Sequence, residues 1–180
     1  MLQPDDACRA ALAAPGRTVL GAEQKAWLED ALTHSTAKLK LVIGGPAMTE
    51  GALLPYERWE DYPAERQELL DFVRDNRVNA IWLGSGAGAV FVSTPGVDAT
   101  HRIPVATVGA VAAPLFLDTL PASAASLVPS LPALFPFVTR FEIDRPTAAL
   151  ISVGDVGFIS VHIDYFDEAG QKISTVTIRA

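Results

Sequence analysis

The first half of the chain contains two stretches in which a helical pattern of apolar residues is followed by an apolar strand. Thr18 can cap a helix that begins near Gly21. Residues 39–43 then predict a short buried strand, which two glycines and a proline end. The apolar residues at helical spacing in this first unit are Ala26, Trp27, Leu28, Ala31 and Leu32.

The second unit repeats this order. Pro63 suits the first turn of a helix, where Glu65 and Glu68 lie near the positive end of the helix dipole. Asn76 is a plausible end of the helix, and residues 78–83 predict a strand that is apolar enough to be buried on both faces. The apolar face of this helix consists of Leu69, Leu70, Phe72 and Val73.

A glycine-rich segment, Gly84-Ser85-Gly86-Ala87-Gly88, follows the second strand. Its third glycine comes too early for a dinucleotide-binding loop, and no lysine follows as a P-loop requires. Ser85 also lacks the glycines two residues to either side that a nucleophile elbow has. Since residues 90–94 predict a further strand, the segment favours a tight strand-to-strand connection.

The end of the chain predicts an antiparallel hairpin. Residues 159–165 alternate between apolar and polar side chains, and residues 173–178 form the return strand after a turn at residues 167–170. His162 and Asp164 share the polar face and could hold a metal together, but two ligands are too few. An exposed hairpin face is therefore the favoured interpretation.

Composition excludes several classes of partner. The chain has 180 residues, 49% of them hydrophobic, and its 14 basic and 21 acidic residues give a net charge of −7. This charge argues against nucleic acid and against an anionic membrane surface as partners. The acidic N-terminus does not resemble a secretory signal, so the chain as given is expected in the cytoplasm. We expect a flexible segment over residues 1–16 and a single domain over residues 17–180.

Residues 103–139 contain six prolines and one charged residue, Asp118. The longest nearly apolar run, residues 103–117, is shorter than the roughly 20 residues that a membrane helix needs. The pattern favours a buried strand followed by a proline-rich connection packed on the core. The alternative is an apolar surface that awaits a partner.

Asp98 and His101 lie together in a loop beyond the glycine-rich segment, and they are the remaining candidates for catalysis. They are too few to complete a catalytic set. Composition and spacing thus predict an α/β domain that ends in a hairpin.

Several segments read together resemble the PhoD-like alkaline phosphatases, which are metallophosphoesterases. Residues 20–28 resemble that family's L-G-x-x-Q-x-x-W-L segment, and residues 59–70 are similar to its W-x-x-Y-P-x-E-R-x-x-L-L segment. Residues 35–43 and 79–83 are similar to the strands that follow each of these. The resemblance implies the C-terminal part of an αββα metallophosphatase-like sandwich, with helix–strand units followed by mostly antiparallel strands. It also implies phosphate mono- and diesters as substrates, and calcium and iron as the metals of relatives.

The resemblance implies no catalytic or metal-binding residue in this chain. Where the family has S-G-D-V-H after the strand, Gly86 falls on the aspartate and Gly88 on the histidine. The weak candidates for a ligand loop are Ser85, Gly86, Gly88, Asp98 and His101.

Two hypotheses follow, and no cofactor is expected in this chain under either. The first is a PhoD-like domain that is inactive alone, whose partner is a second copy or a companion chain supplying the missing half. The alternative is a non-enzymatic interaction module that self-associates through residues 103–139.

Overall fold

Two β-sheets and three α-helices make up the part of the chain that the computed structural model describes, which is residues 5–48, 58–85, 90–93, 103–109, 118, 122, 138–142 and 145–179. The helices are α1 (Asp6–Leu12), α2 (Gly21–His34) and α3 (Pro63–Asp75), with a 3₁₀ turn at Trp59–Asp61. The strands are β1 (Lys40–Ile43), β2 (Ala80–Gly84), β3 (Val90–Ser93), β4 (Val105–Thr107), β5 (Val138–Glu142), β6 (Ala148–Asp155), β7 (Ile159–Phe166) and β8 (Lys172–Arg179). None of the helices in these described residues is long and apolar enough to cross a membrane.

The first sheet has the strand order β1-β2-β4-β3-β5. Strands β1, β2 and β4 run parallel, and β3 runs antiparallel to both β4 and β5. The second sheet is antiparallel throughout, with the order β6-β7-β8.

The first sheet is packed on both faces. On one face Trp82 and Val105 form a core with Leu69 and Leu70 of α3 and Leu32 of α2. The opposite face packs against the second sheet in another core, which includes Ile81, Leu83, Val92, Val161, Ile163 and Tyr165. The layers are therefore helices, first sheet and second sheet, and this confirms the predicted α/β fold class.

The predicted helix at Gly21 is confirmed, but its predicted apolar face is partly wrong. The N-cap residue is Leu20, not the predicted Thr18, and no side chain caps the helix. Thr18, two residues earlier, instead accepts a hydrogen bond from the Gly21 amide at its Oγ1, at 2.7 Å. Leu28 and Leu32 face the core, whereas Trp27 is 66% exposed. One residue turns a helix by 100°, so Trp27 points away from the sheet that its neighbour Leu28 contacts.

The strand predicted at residues 39–43 exists, but its predicted burial is wrong. Strand β1 lies at the end of the first sheet, and its side chains are alternately half-buried and exposed. Ile43 is 78% exposed because the second sheet does not cover this edge. Strand β2, by contrast, lies inside the sheet and is buried along its whole length, as predicted.

The glycine-rich connection joins two strands that are not neighbours. Strand β3 was predicted and is confirmed, but β4 lies between β2 and β3 in the sheet. The connection is therefore not a hairpin, and residues 86–89 themselves lie outside the described residues.

The predicted C-terminal hairpin is confirmed. Asp167 Oδ1 accepts hydrogen bonds from the amides of Ala169 and Gln171, and Gly170 has a φ of +74°, which favours glycine. The pattern did not predict β6, which pairs with β7 across a three-residue turn containing Gly157 at φ +79°. The second sheet thus has one strand more than the hairpin.

For two other predictions, the structure describes only some of the residues concerned. The segment predicted as flexible, residues 1–16, includes α1, which buries no residue; the domain division at residue 17 stays a prediction. The buried strand expected after Ile103 is β4, but most of the proline-rich stretch lies outside the described residues.

Trp59 provides the first test of the packing. Its side chain is 4% exposed in the core beneath α3, so Trp59→Ala should lower the free energy of unfolding by about 3–5 kcal/mol. Trp27→Ala is the matched control, because Trp27 is mostly exposed and its loss should change stability by about 0.5 kcal/mol or less. Denaturant unfolding followed by circular dichroism measures both. Equal stabilities of the two variants would contradict this packing.

Candidate functional site

The carboxyl ends of the parallel strands β1, β2 and β4 meet at one edge of the first sheet. In open α/β sheets this is the edge where ligands bind. Within the described residues, β1 is followed by residues 44–48, β2 by Ser85, and β4 by Val108 and Gly109. These residues form the candidate functional site.

Main-chain hydrogen bonds hold the three strand ends together. The amide of Gly44 donates to Leu83 O at 3.0 Å, that of Ser85 to Gly45 O at 2.9 Å, and that of Val108 to Gly84 O at 3.0 Å. The loop after β1 also lies directly over Gly84, where an added Cβ would come within 3.1 Å of Pro46 O and the Ala47 Cα. A side chain at position 84 would therefore force the loop to shift by a few tenths of an ångström, so this close approach favours glycine.

The described residues at this edge do not fit a calcium or iron centre. Such ions take carboxylate, imidazole or several oxygen ligands. The edge offers glycines, Pro46, Ala47 and the hydroxyl of Ser85, which lies 3.4 Å from Gly45 O, the carbonyl to which it donates. Among the described residues, no group of three or more histidine, cysteine, aspartate or glutamate side chains could hold a metal ion.

Of the five ligand-loop candidates from the sequence, the structure describes one. Ser85 lies at the end of β2, as expected for a strand-end loop. Gly86, Gly88, Asp98 and His101 lie outside the described residues, so their predicted roles stay untested.

The loop after β1 is bound by the first turn of α3 and by the 3₁₀ turn that precedes this helix. Arg66 donates from Nε to Met48 O at 3.0 Å, and the Trp59 amide donates to Ala47 O at 3.2 Å. Arg66 and Trp59 are both buried, at 5% and 4% exposure. Arg66 thus binds a carbonyl of the loop, and the nearby Glu60 pairs with Arg58 at 2.6 Å.

Glu65 connects α3 to the start of α2. Its buried carboxylate accepts hydrogen bonds from Thr18 Oγ1 at 2.5 Å, from the Val19 amide at 2.6 Å and from the Leu20 amide at 3.3 Å. The sequence pattern predicts for Glu65 only a favourable place in the helix dipole, and it does not reveal these hydrogen bonds. The adjacent Glu65-Arg66 pair in the first turn was the available signal.

A family model described as PhoD-like phosphatase matches residues 3–114. The chain belongs to the PhoD-like phosphatase family. A solved structure described as that of PhoD matches this chain with a TM-score of 0.60 and 18% sequence identity, a likeness that concerns the fold. The match covers 98% of this chain but 38% of that one. A comparison with curated proteins found no match.

The PhoD-like match includes α2, α3 and strands β1, β2, β3 and β4, so it contains the whole described part of the candidate site. The second sheet lies beyond residue 114, and it belongs to this fold through the structural match, which covers nearly the whole chain. Of the two segments that resemble the family, residues 59–70 contain both Glu65 and Arg66. The other segment, residues 20–28, directly follows Val19, whose amide donates a hydrogen bond to Glu65.

His162 and Asp164 of this PhoD-like domain each have their own partners on the second sheet. The ring nitrogens of His162 lie 3.1 Å from Ser160 Oγ and 3.0 Å from Thr177 Oγ1. Asp164 accepts a hydrogen bond from Thr175 Oγ1 and lies 3.5 Å from Lys172 Nζ. These contacts agree with the interpretation of a polar hairpin face.

Glu65 allows a test of the link between α3 and α2. Glu65→Ala should lower the free energy of unfolding by about 2–3 kcal/mol, because it leaves the Val19 and Leu20 amides without their acceptor. Glu68→Ala is the control; it removes a largely exposed ion pair with Lys25, worth about 0–1 kcal/mol. Chemical denaturation compares them. A Glu65 variant no less stable than the Glu68 variant would show that the link is dispensable.

The pKa of Asp164 is held below its ordinary value by the hydrogen bond from Thr175, with a smaller contribution from the charge of Lys172. A lowered native pKa contributes stability above the unfolded value of about 3.9, and this contribution is lost as the pH falls through the native pKa. Thr175→Val should therefore raise the Asp164 pKa more than Lys172→Met does. NMR titration of the Asp164 carboxyl measures both shifts, and the opposite ranking would refute the assigned cause.

Proposed function

We propose that this PhoD-like domain does not hydrolyse phosphate esters on its own and serves as the non-catalytic part of a PhoD-type assembly. The observation that carries the proposal is the donor set at the carboxyl edge of the first sheet. Its described residues present main-chain groups and a serine hydroxyl where a metal-dependent phosphatase requires carboxylates and imidazoles.

The sequence supports the same proposal at the positions next to this edge. The family's aspartate and histidine positions after the second strand hold Gly86 and Gly88, which carry no side-chain ligand. Phosphate ester hydrolysis near neutral pH needs a hydroxide nucleophile and neutralisation of the phosphoryl charge, which bound metal supplies in metallophosphatases. A main-chain edge with one neutral hydroxyl supplies neither.

The fold can nevertheless serve as a scaffold. Glu65 and Arg66 keep α2, α3 and the loop after β1 in fixed positions relative to one another. Such an arrangement preserves the shape of the family's strand edge, and we propose a companion chain as its partner. A cytoplasmic location, which the sequence predicts for the chain as given, stays a prediction.

The alternative, a module that self-associates through residues 103–139, also stays a prediction. Among the described residues of that stretch, those of β4 are buried inside the first sheet and are not offered to a partner.

Hydrolysis assays test the proposal. The purified chain, supplied with calcium and iron, should release no p-nitrophenol above background from p-nitrophenyl phosphate or its bis ester. The PhoD protein of known structure serves as the positive control. Metal-dependent turnover that copurifies with the chain and disappears with a chelator would contradict the proposal.

The Ser85→Ala variant tests, in the same assay, whether the serine hydroxyl contributes to hydrolysis. Ser85 carries the hydroxyl at the described edge, so the variant and the parent should give the same background rate. A rate that falls when the hydroxyl is removed would assign a catalytic role to Ser85 and would overturn the proposal independently of metal.

A further inference from the structure

Both sheets have an open edge on the same side of the sandwich. Strand β1 ends the first sheet, and β6 ends the second, in the part of the chain that the structure describes. Lys38 Nζ, just before β1, lies 2.9 Å from Asp155 Oδ2 at the end of β6. Leu39 packs into the core between the sheets. The two open edges therefore lie next to each other.

Apolar side chains that face between the sheets are exposed at these edges. Leu41 and Ile43 lie opposite Ile81 and Leu83, which are buried in the core between the sheets. Leu41 and Ile43 face the same layer as these two neighbours, yet their side chains are 37% and 78% exposed. The core between the sheets thus continues onto β1 without a cover.

Strand β6 repeats this arrangement in the second sheet. Val153 lies opposite Val161, which is completely buried between the sheets, yet Val153 is 55% exposed. Ile151, two residues earlier on the same face, packs into that core. Inward-facing apolar side chains are therefore uncovered at the edge of each sheet.

Some main-chain N–H and C=O groups of β1 also point outward from the open edge of the first sheet. The amides of Lys40 and Gly44 donate to Asn79 O and Leu83 O, so these residues are bonded to β2. In a parallel ladder alternate residues point the opposite way, so the N–H and C=O groups of Leu41 and Ile43 point away from β2. Lys40 lies opposite Ala80, whose side chain packs on the helix side, so its charge does not protect the apolar face.

We propose that this edge, made by Leu41 and Ile43 of β1 and Val153 of β6, is the docking site for the complementary part of a PhoD-like chain. The occupant adds one strand to β1 and one to β6, and it places apolar side chains between the two sheets. The proposal rests on family membership and on the exposed residues, and it does not depend on the chain being inactive.

The structural match favours this occupant over a second copy of the chain. Nearly all of the present chain corresponds to PhoD, while more than half of the PhoD chain has no counterpart here. A strand from that remainder would bond the free side of β1 and cover Ile43, as strand addition to an open edge does elsewhere. A second copy would instead bring together two chains that each carry a net charge of −7.

The test uses this chain together with the region of the solved PhoD protein that lies outside the match, coexpressed as a separate polypeptide. Size-exclusion chromatography with light scattering should show a one-to-one complex. Hydrogen exchange at the Leu41 and Ile43 amides should slow at least about tenfold in the complex.

Charged variants locate the contact. Ile43→Asp and Val153→Asp should each weaken the complex at least about tenfold, because each buries an unpaired carboxylate. Leu150→Asp is the matched control: Leu150 is 56% exposed on β6, but it lies opposite Asp164 on the outer face, so the complex should form unchanged. Circular dichroism confirms that all three variants fold.

Three results would overturn the proposal. The first is no complex and no change in exchange, and the second is a complex that both edge variants leave intact. The third is concentration-dependent self-association that slows exchange at Leu41 and Ile43 and is lost in Ile43→Asp, which would make a second copy the occupant. Hydrolysis is not measured here, so activity of the isolated chain would contradict the proposed function and leave this inference standing.

Discussion

Two adjacent residues in the first turn of α3 connect this helix to two different parts of the structure. The Glu65 carboxylate accepts the hydrogen bonds that begin α2, and the Arg66 guanidinium binds the carbonyl of Met48 in the loop after β1. Both side chains are buried, so the loss of either would leave buried polar groups without partners. The position of α2 and the course of the loop therefore depend on this pair.

The same pair gives a structural role to residues 59–70, one of the segments that resemble the PhoD-like family. The E-R pair within residues 59–70 makes structural contacts, and none of the contacts described above requires a metal. The close approach of the loop after β1 favours glycine at position 84. The proposed function predicts that this scaffold is retained while small residues take the positions of the metal ligands.

Local patterns predicted the elements with a continuous or an alternating apolar signal, and they failed where the place of a strand in the sheet decides its burial. Strand β2 and the C-terminal hairpin have strong apolar signals, and both are confirmed. The exposure of Ile43 follows from β1 being the end strand, which no periodicity within four residues reveals. Glu65 finds its partners 45 to 47 positions away, so helix-dipole reasoning alone could not identify them. Of the ligand-loop candidates, Ser85 alone could be placed.

Metal titration of the purified, chelator-treated chain tests the proposal that this PhoD-like domain has no metal centre of its own. Binding to the folded state raises the melting temperature in proportion to the logarithm of the excess metal. The account predicts that calcium and ferrous or ferric iron leave the melting temperature unchanged and give no saturable heat in calorimetry. A stoichiometric, saturable heat accompanied by a rise in melting temperature would contradict it.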